Sequence, residues 1–246
     1  MSPTTDPTSQ SYIAPGLNRH EPDNAVSNLY FTHPKNYLGV PLAVAADGDT
    51  GALVVRHLVE MSGQAKQGAQ ALGLLDLAGN LTPWGERVVT TAGHLHGGPR
   101  DGLTALAALS GSSKRFVDRY PGWQSTVHNL VRVYHPPTPI LTILSHGERL
   151  SLPALVSRLR RNYSSSITRL FLRGEPATDG TPLTDVELTD PSVYRGHAVF
   201  QFKSLLFHCG VLTERGVDTS RLDPSEDCWE LTPAFDYRDA EGKDVA

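Results

Sequence analysis

A chain of 246 residues, 39% hydrophobic and 20% charged, can bury a full core as one or two domains. Its formal net charge of -4 argues against a non-specific DNA coat but leaves room for one basic face. No apolar run reaches the roughly 18 residues of a membrane span. Cys209 and Cys228 are too few for a disulfide scaffold and read as buried thiols.

Residues 1–25, rich in Pro, Ser, Thr and Asn, read as a flexible tail without the features of a secretion signal. A cytoplasmic protein is therefore expected. From Asn28, Pro34 and Pro41 predict two short pieces around a turn instead of one helix. Thr50 to Gly63 has the 3.6-residue spacing of an amphipathic helix in Leu53, Val54, His57, Leu58 and Met61. Gln64 to Gly73 begins polar and ends apolar. Thr82 is placed to cap a helix that has Pro83 at its first position.

The run Ala71-Leu-Gly-Leu-Leu-Asp76, a turn, then Asn80-Leu-Thr-Pro-Trp-Gly85 resembles winged helix-turn-helix domains. In that family a recognition helix ends at Leu-Gly-Leu, a wing follows, and Leu-Thr opens the next helix. The resemblance implies a first winged-helix module over residues 26–98. Gly93 to Gly102 is read as a glycine-rich inter-domain loop. Its His94-x-His96 pair lacks the further ligands of a metal site, and no cofactor is expected. Asp101 to Trp123 reads as two helices parted at Gly111–Ser113, and Gln124 to His135 as another helix.

The strongest functional signal lies in a central module, 99–180. After a helix over Ile140–Leu144, Arg149 to Arg173 reads as helix, short break, helix. Leu152, Leu155, Val156 and Leu159 form one apolar face, and Ser164–Ser166 offer a cap for a second helix. This is the skeleton of a helix-turn-helix. The stretch holds Arg149, Arg158, Arg160, Arg161, Arg169 and Arg173 and no acidic residue. Arg158, Arg160, Arg161 and Arg173 are expected to neutralise phosphates. Ser164, Ser165, Ser166, Thr168 and Arg169 sit where side chains meet base edges and backbone phosphates.

A loop-like acidic segment, 174–196, leads to a second winged module over 181–235. Cys209-Gly-Val-Leu212 followed later by Leu231-Thr-Pro233 repeats Leu72-Gly-Leu-Leu75 followed by Leu81-Thr-Pro83, with a longer excursion between. Trp229 to Leu231 reads as a strand of that wing. From Glu214 to Ala246 ten acidic residues face four basic ones, and residues 236–246 form an acidic tail.

The fold expected is mainly α with small β wings, as tandem winged helix-turn-helix modules. The function expected is reading of double-stranded DNA, as a transcription regulator or a recognition component of a defence system, with a homodimer or partner proteins in attendance and no membrane. A protein–protein adaptor is the second reading, because winged helices also serve as assembly modules. A small Mg-dependent nuclease using Asp190, Gln201 and Lys203 is the third. In that chemistry the carboxylate would hold the metal and the lysine would steady the attacked phosphate. The helical pattern over Val199–Cys209 and the absence of a βαβ context speak against the third.

Overall fold

The computed structural model describes residues 33–47, 62–109, 114–133, 138–162, 171–173, 184–216 and 222–235. Among these the chain is mainly helical, with one two-stranded antiparallel sheet. The tail, residues 50–61 of the helix expected over Thr50–Gly63, the segment 163–170 and the acidic terminus lie outside the described residues, and Gly63 lies in the first turn of the next helix where the end of one was expected.

Helix α1 (Pro34–Asp47) is continuous, which corrects the two pieces expected around Pro41. Proline inside a helix removes one backbone hydrogen bond and crowds the preceding turn. Here burial outweighs that cost: Tyr37, Leu38, Val40, Leu42 and Ala43 are all fully buried. Pro34 occupies the first position, where no hydrogen bond is lost.

Helix α2 (Ser62–Ala71) packs against α1 and ends at Gly73, whose φ of 71° is the left-handed conformation glycine adopts freely. Leu75 and Leu81 then bridge as a short antiparallel hairpin. Helix α3 (Pro83–His96) begins at Thr82, whose hydroxyl accepts from Gly85 N at 3.2 Å.

The expected loop over Gly93–Gly102 is instead two helices meeting at a corner. Gly97, with φ 87°, caps α3 by donating to Gly93 O at 3.1 Å, and α4 (Pro99–Ala107) starts two residues later. Gly102 serves close packing: a Cβ there would sit 2.8 Å from Ala92 Cβ of α3. Of the glycines that read as loop, Gly97 and Gly98 stand at the two facing helix ends and Gly102 is a helix–helix contact.

A short turn of helix, α5 (Phe116–Arg119), and a 3₁₀ turn (Pro121–Trp123) lead into α6 (Gln124–Val133), which packs on α3. Helix α7 (Thr138–Leu144) follows, then strand β1 (Leu150–Ser151) and helix α8 (Leu152–Asn162), with Pro153 in the first turn as expected. Leu152, Leu155, Val156 and Leu159 are fully buried and pack toward α7. The chain beyond α8 returns through Leu172, which bridges Tyr194, just before α9 (Gly196–His208).

Helix α9 ends at Gly210, φ 76°, and Leu212 bridges Leu231. Between them β2 (Cys228–Trp229) pairs antiparallel with β1, Leu150 opposite Trp229 and Ser151 opposite Cys228. This second unit therefore runs helix, strand, helix, helix, hairpin, with the far arm of the hairpin closing on the first strand. Phe171, Phe202 and Trp229 meet edge to face at its centre, with ring centroids 5.8–6.0 Å apart.

The internal repeat extends to the backbone. Gly73 N donates to Gln70 O and Leu74 N to Ala69 O; Gly210 N donates to Phe207 O and Val211 N to Leu206 O. In the hairpins Asp76 N reaches Asn80 O and Thr82 N reaches Leu74 O. Thr213 N to Glu230 O and Thr232 N to Val211 O stand at the matching positions.

Candidate nucleic-acid interface

Helix α8 turns its leucines inward, so the positions between them carry Ser157, Arg158, Arg160 and Arg161 outward. Each described arginine of the expected basic stretch meets an acceptor of the same chain. Arg158 forms an ion pair with Glu148, and its hydrogen bond holds that carboxyl below the usual carboxylate range. Arg161 lies 3.9 Å from Asp185.

Arg160 bears electrostatically on Glu187, whose carboxyl is lowered chiefly by the Thr184 backbone N–H, then by the Thr184 hydroxyl. Arg149 reaches Glu214 at 3.0 Å, and its Nε donates to Cys228 Sγ at 2.7 Å. That contact with the sulfur raises the Arg149 guanidinium above its ordinary value. Arg173 faces another element, donating through Nε to Tyr194 O at 2.7 Å. Ser164, Ser165, Ser166, Thr168 and Arg169 lie outside the described residues.

The structure thus sets Glu214 beside Arg149, Glu148 beside Arg158, Glu187 near Arg160 and Asp185 beside Arg161. Counting charge only inside 149–173 missed these carboxylates. Glu148 sits one residue before the stretch, but Asp185, Glu187 and Glu214 reach it only through the fold.

A groove of about 360 Å³ opens on α8, lined by Ser151, Pro153, Ala154, Ser157, Arg158, Arg161 and Asp185. Within it the Ser157 hydroxyl donates to Asp185 Oδ1 at 3.0 Å and lies 3.3 Å from Arg161 Nη2. These pairs are exposed, so solvent and salt screen them strongly.

The nuclease candidates are not brought together. Asp190 caps a 3₁₀ turn by accepting from Ser192 N at 2.8 Å, which lowers its carboxyl. Lys203 is buried on α9, with its Nζ 2.8 Å from Asp227 Oδ1, while Asp227 Oδ2 accepts from Trp229 Nε1 at 2.8 Å. Gln201 is half-buried on the same helix. The lysine is committed to holding the hairpin on α9.

His94 is exposed in the last turn of α3, and His96 accepts from Trp123 Nε1 at 3.3 Å. Cys209 and Cys228 are both buried free thiols, as expected from their number. No described helix is long and apolar enough to cross a membrane. Comparison with protein-family models, with curated proteins and with solved structures found no match for this chain.

Proposed function

We propose that the chain carries two winged helix-turn-helix units and binds duplex DNA through the second. The observation that carries this reading is the strand pairing, β1 on β2 and Leu212 on Leu231, with α7 ahead of β1 and α8 and α9 between β1 and the hairpin, which is the order of a winged helix. The first unit offers the same helix end and hairpin at Gly73–Leu81.

In this order the groove-entering position belongs to the helix before the hairpin, α9. The expected base-reading residues Ser165, Ser166, Thr168 and Arg169 fall in the excursion between α8 and α9. Arg149, just before β1, and Arg158, Arg160 and Arg161 of α8 then flank the groove, where they hold phosphates and set register.

The test is duplex binding by the full chain at two salt concentrations, beside Arg158→Ala/Arg160→Ala/Arg161→Ala. Each lost phosphate contact lowers the salt slope by about 0.9, so the variant loses up to roughly three units. Equal slopes in a folded variant refute the assignment.

The adaptor reading has one observation in its favour. Arg149 and the three arginines of α8 are matched by four carboxylates, and the helix ahead of each hairpin carries few charges: Lys66 on α2 and the buried Lys203 on α9. Absence of DNA binding at low salt, with the fold intact, selects that reading.

A further inference from the structure

We infer that the groove on α8 is a phosphate seat which the chain's own Asp185 fills in the free protein. This inference rests on the DNA reading and names the ligand chemistry and regulation of the same surface. The Asp185 carboxylate stands where a bound anion would. The Ser157 hydroxyl donates to one oxygen at 3.0 Å, and the Arg161 guanidinium faces the other at 3.9 Å. A hydroxyl and a guanidinium one helical turn apart are the donor pair that a phosphate oxygen recognises.

The groove is large enough for a phosphodiester, at about 360 Å³, and Arg158 also lines it. Pro153 and Ala154 form an apolar floor that does not compete for the donors. Ser157, Arg158 and Arg161 stand on an eleven-residue helix packed into the core.

Asp185 stands in an exposed turn, and its side chain is 74% exposed. Glu187, in the same turn, is tied back by Thr184, whose backbone N–H donates to its carboxylate at 2.6 Å. Leu188 anchors the turn in the core, with its carbonyl accepting from the Tyr194 hydroxyl at 2.7 Å, so only the exposed Asp185 side chain has to swing aside to open the seat. A phosphate carries more charge and more acceptors than the carboxylate, so it displaces Asp185 and keeps the Ser157 and Arg161 donors satisfied.

The test compares the full chain with Asp185→Asn and with Asp185→Asn/Arg161→Ala. Asp185 is exposed, so neither change threatens the fold, and circular dichroism checks this. Two probes separate the sources of phosphate: a blunt duplex and inorganic pyrophosphate.

Removing one negative charge beside the seat is expected to tighten duplex binding by about three- to tenfold at low salt. The double variant is expected to lose that gain. If wild type binds duplex and Asp185→Asn binds no better, the seat is refuted while the DNA reading stands. If duplex never binds but Asp185→Asn binds pyrophosphate through Arg161, the seat stands and the DNA reading falls. If no variant binds either probe, both are overturned.

Discussion

Replacing Asp227 by alanine removes the acceptor of a buried ammonium group. Lys203 and Asp227 have side chains only 1% and 3% exposed, and the Lys203 Nζ sits 2.8 Å from Oδ1. The same carboxylate accepts from Trp229 Nε1 at 2.8 Å, so alanine strands two donors at once. Breaking a buried pair from one side costs about 3–5 kcal/mol, because the remaining charge loses its partner without regaining water.

An unsatisfied indole N–H costs about 1–3 kcal/mol on its own, but both costs come from the loss of one carboxylate and overlap. The expected loss is about 3–5 kcal/mol. Asp227→Asn keeps an acceptor and is expected to lose less. Lys203→Met/Asp227→Asn is expected to be more stable than the sum of its single variants implies, with a coupling above about 1 kcal/mol. Urea unfolding followed by tryptophan fluorescence reads these differences as midpoint shifts at constant slope. An Asp227→Ala protein within about 1 kcal/mol of wild type, with unchanged slope, would mean that the ammonium reaches solvent and the reasoning fails.

Four further outcomes follow from the geometry. Gly73→Ala and Gly210→Ala each force a side chain into the left-handed region, at φ 71° and 76°, and cost about 1–2 kcal/mol. At Gly210 the added Cβ also lands 2.6 Å from Val117 Cγ2; a wild-type urea midpoint in either variant would contradict this.

Gly85→Ala drives a Cβ to 2.2 Å from Leu74 O and is expected to lower thermal stability by about 1–3 kcal/mol. A calorimetric midpoint like that of wild type would show that the hairpin gives way freely.

His33 is pushed down to about 3 by burial first, then by His208, Lys35, Arg119 and Arg215. His208 is pushed down to about 4 by burial, then by Arg215. Both stay neutral when folded and gain protons on unfolding, so stability is full above about pH 6.5 and falls as pH drops toward 4. His33→Gln is expected to flatten that fall in pH-dependent urea unfolding, and an unchanged profile would argue against it.

Burial also pushes the Cys209 thiol up to about 12, so it is expected to resist iodoacetamide at pH 8 until the chain unfolds. Labelling of Cys209 in the native protein, located by mass spectrometry, would contradict its burial.

The parts of the fold legible in the sequence were those set by local chemistry. Thr82 followed by Pro83 announces a helix start. The leucine spacing of α8 announces its buried face, and the glycines at 73 and 210 announce two matching helix ends. Pro41 misled because a local cost was outweighed by burial on all sides of α1, which only tertiary packing reveals. Gly93–Gly102 misled because a glycine that lets two helices touch looks the same in sequence as one that frees a loop.

The α8 surface misled in a third way. Its arginines are contiguous, while the carboxylates beside them arrive from residues 148, 185, 187 and 214. The buried charge of Lys203 was equally hidden, since its partner lies beyond the helix, across the hairpin.

The pairing of β1 with β2 has a consequence for how the chain is made. Leu150 must wait for Trp229, and the segment between them includes α8, the excursion and α9. At about 5–20 residues per second of synthesis, the first strand stays without its partner for on the order of 4–16 s. During that time α7 and α8 can form and pack, because their contacts are local, but the second unit cannot close. The first unit, whose hairpin joins Leu75 to Leu81, carries no such delay. The two copies of one backbone pattern therefore mature in order, the amino-terminal one as it emerges and the other only after its last strand.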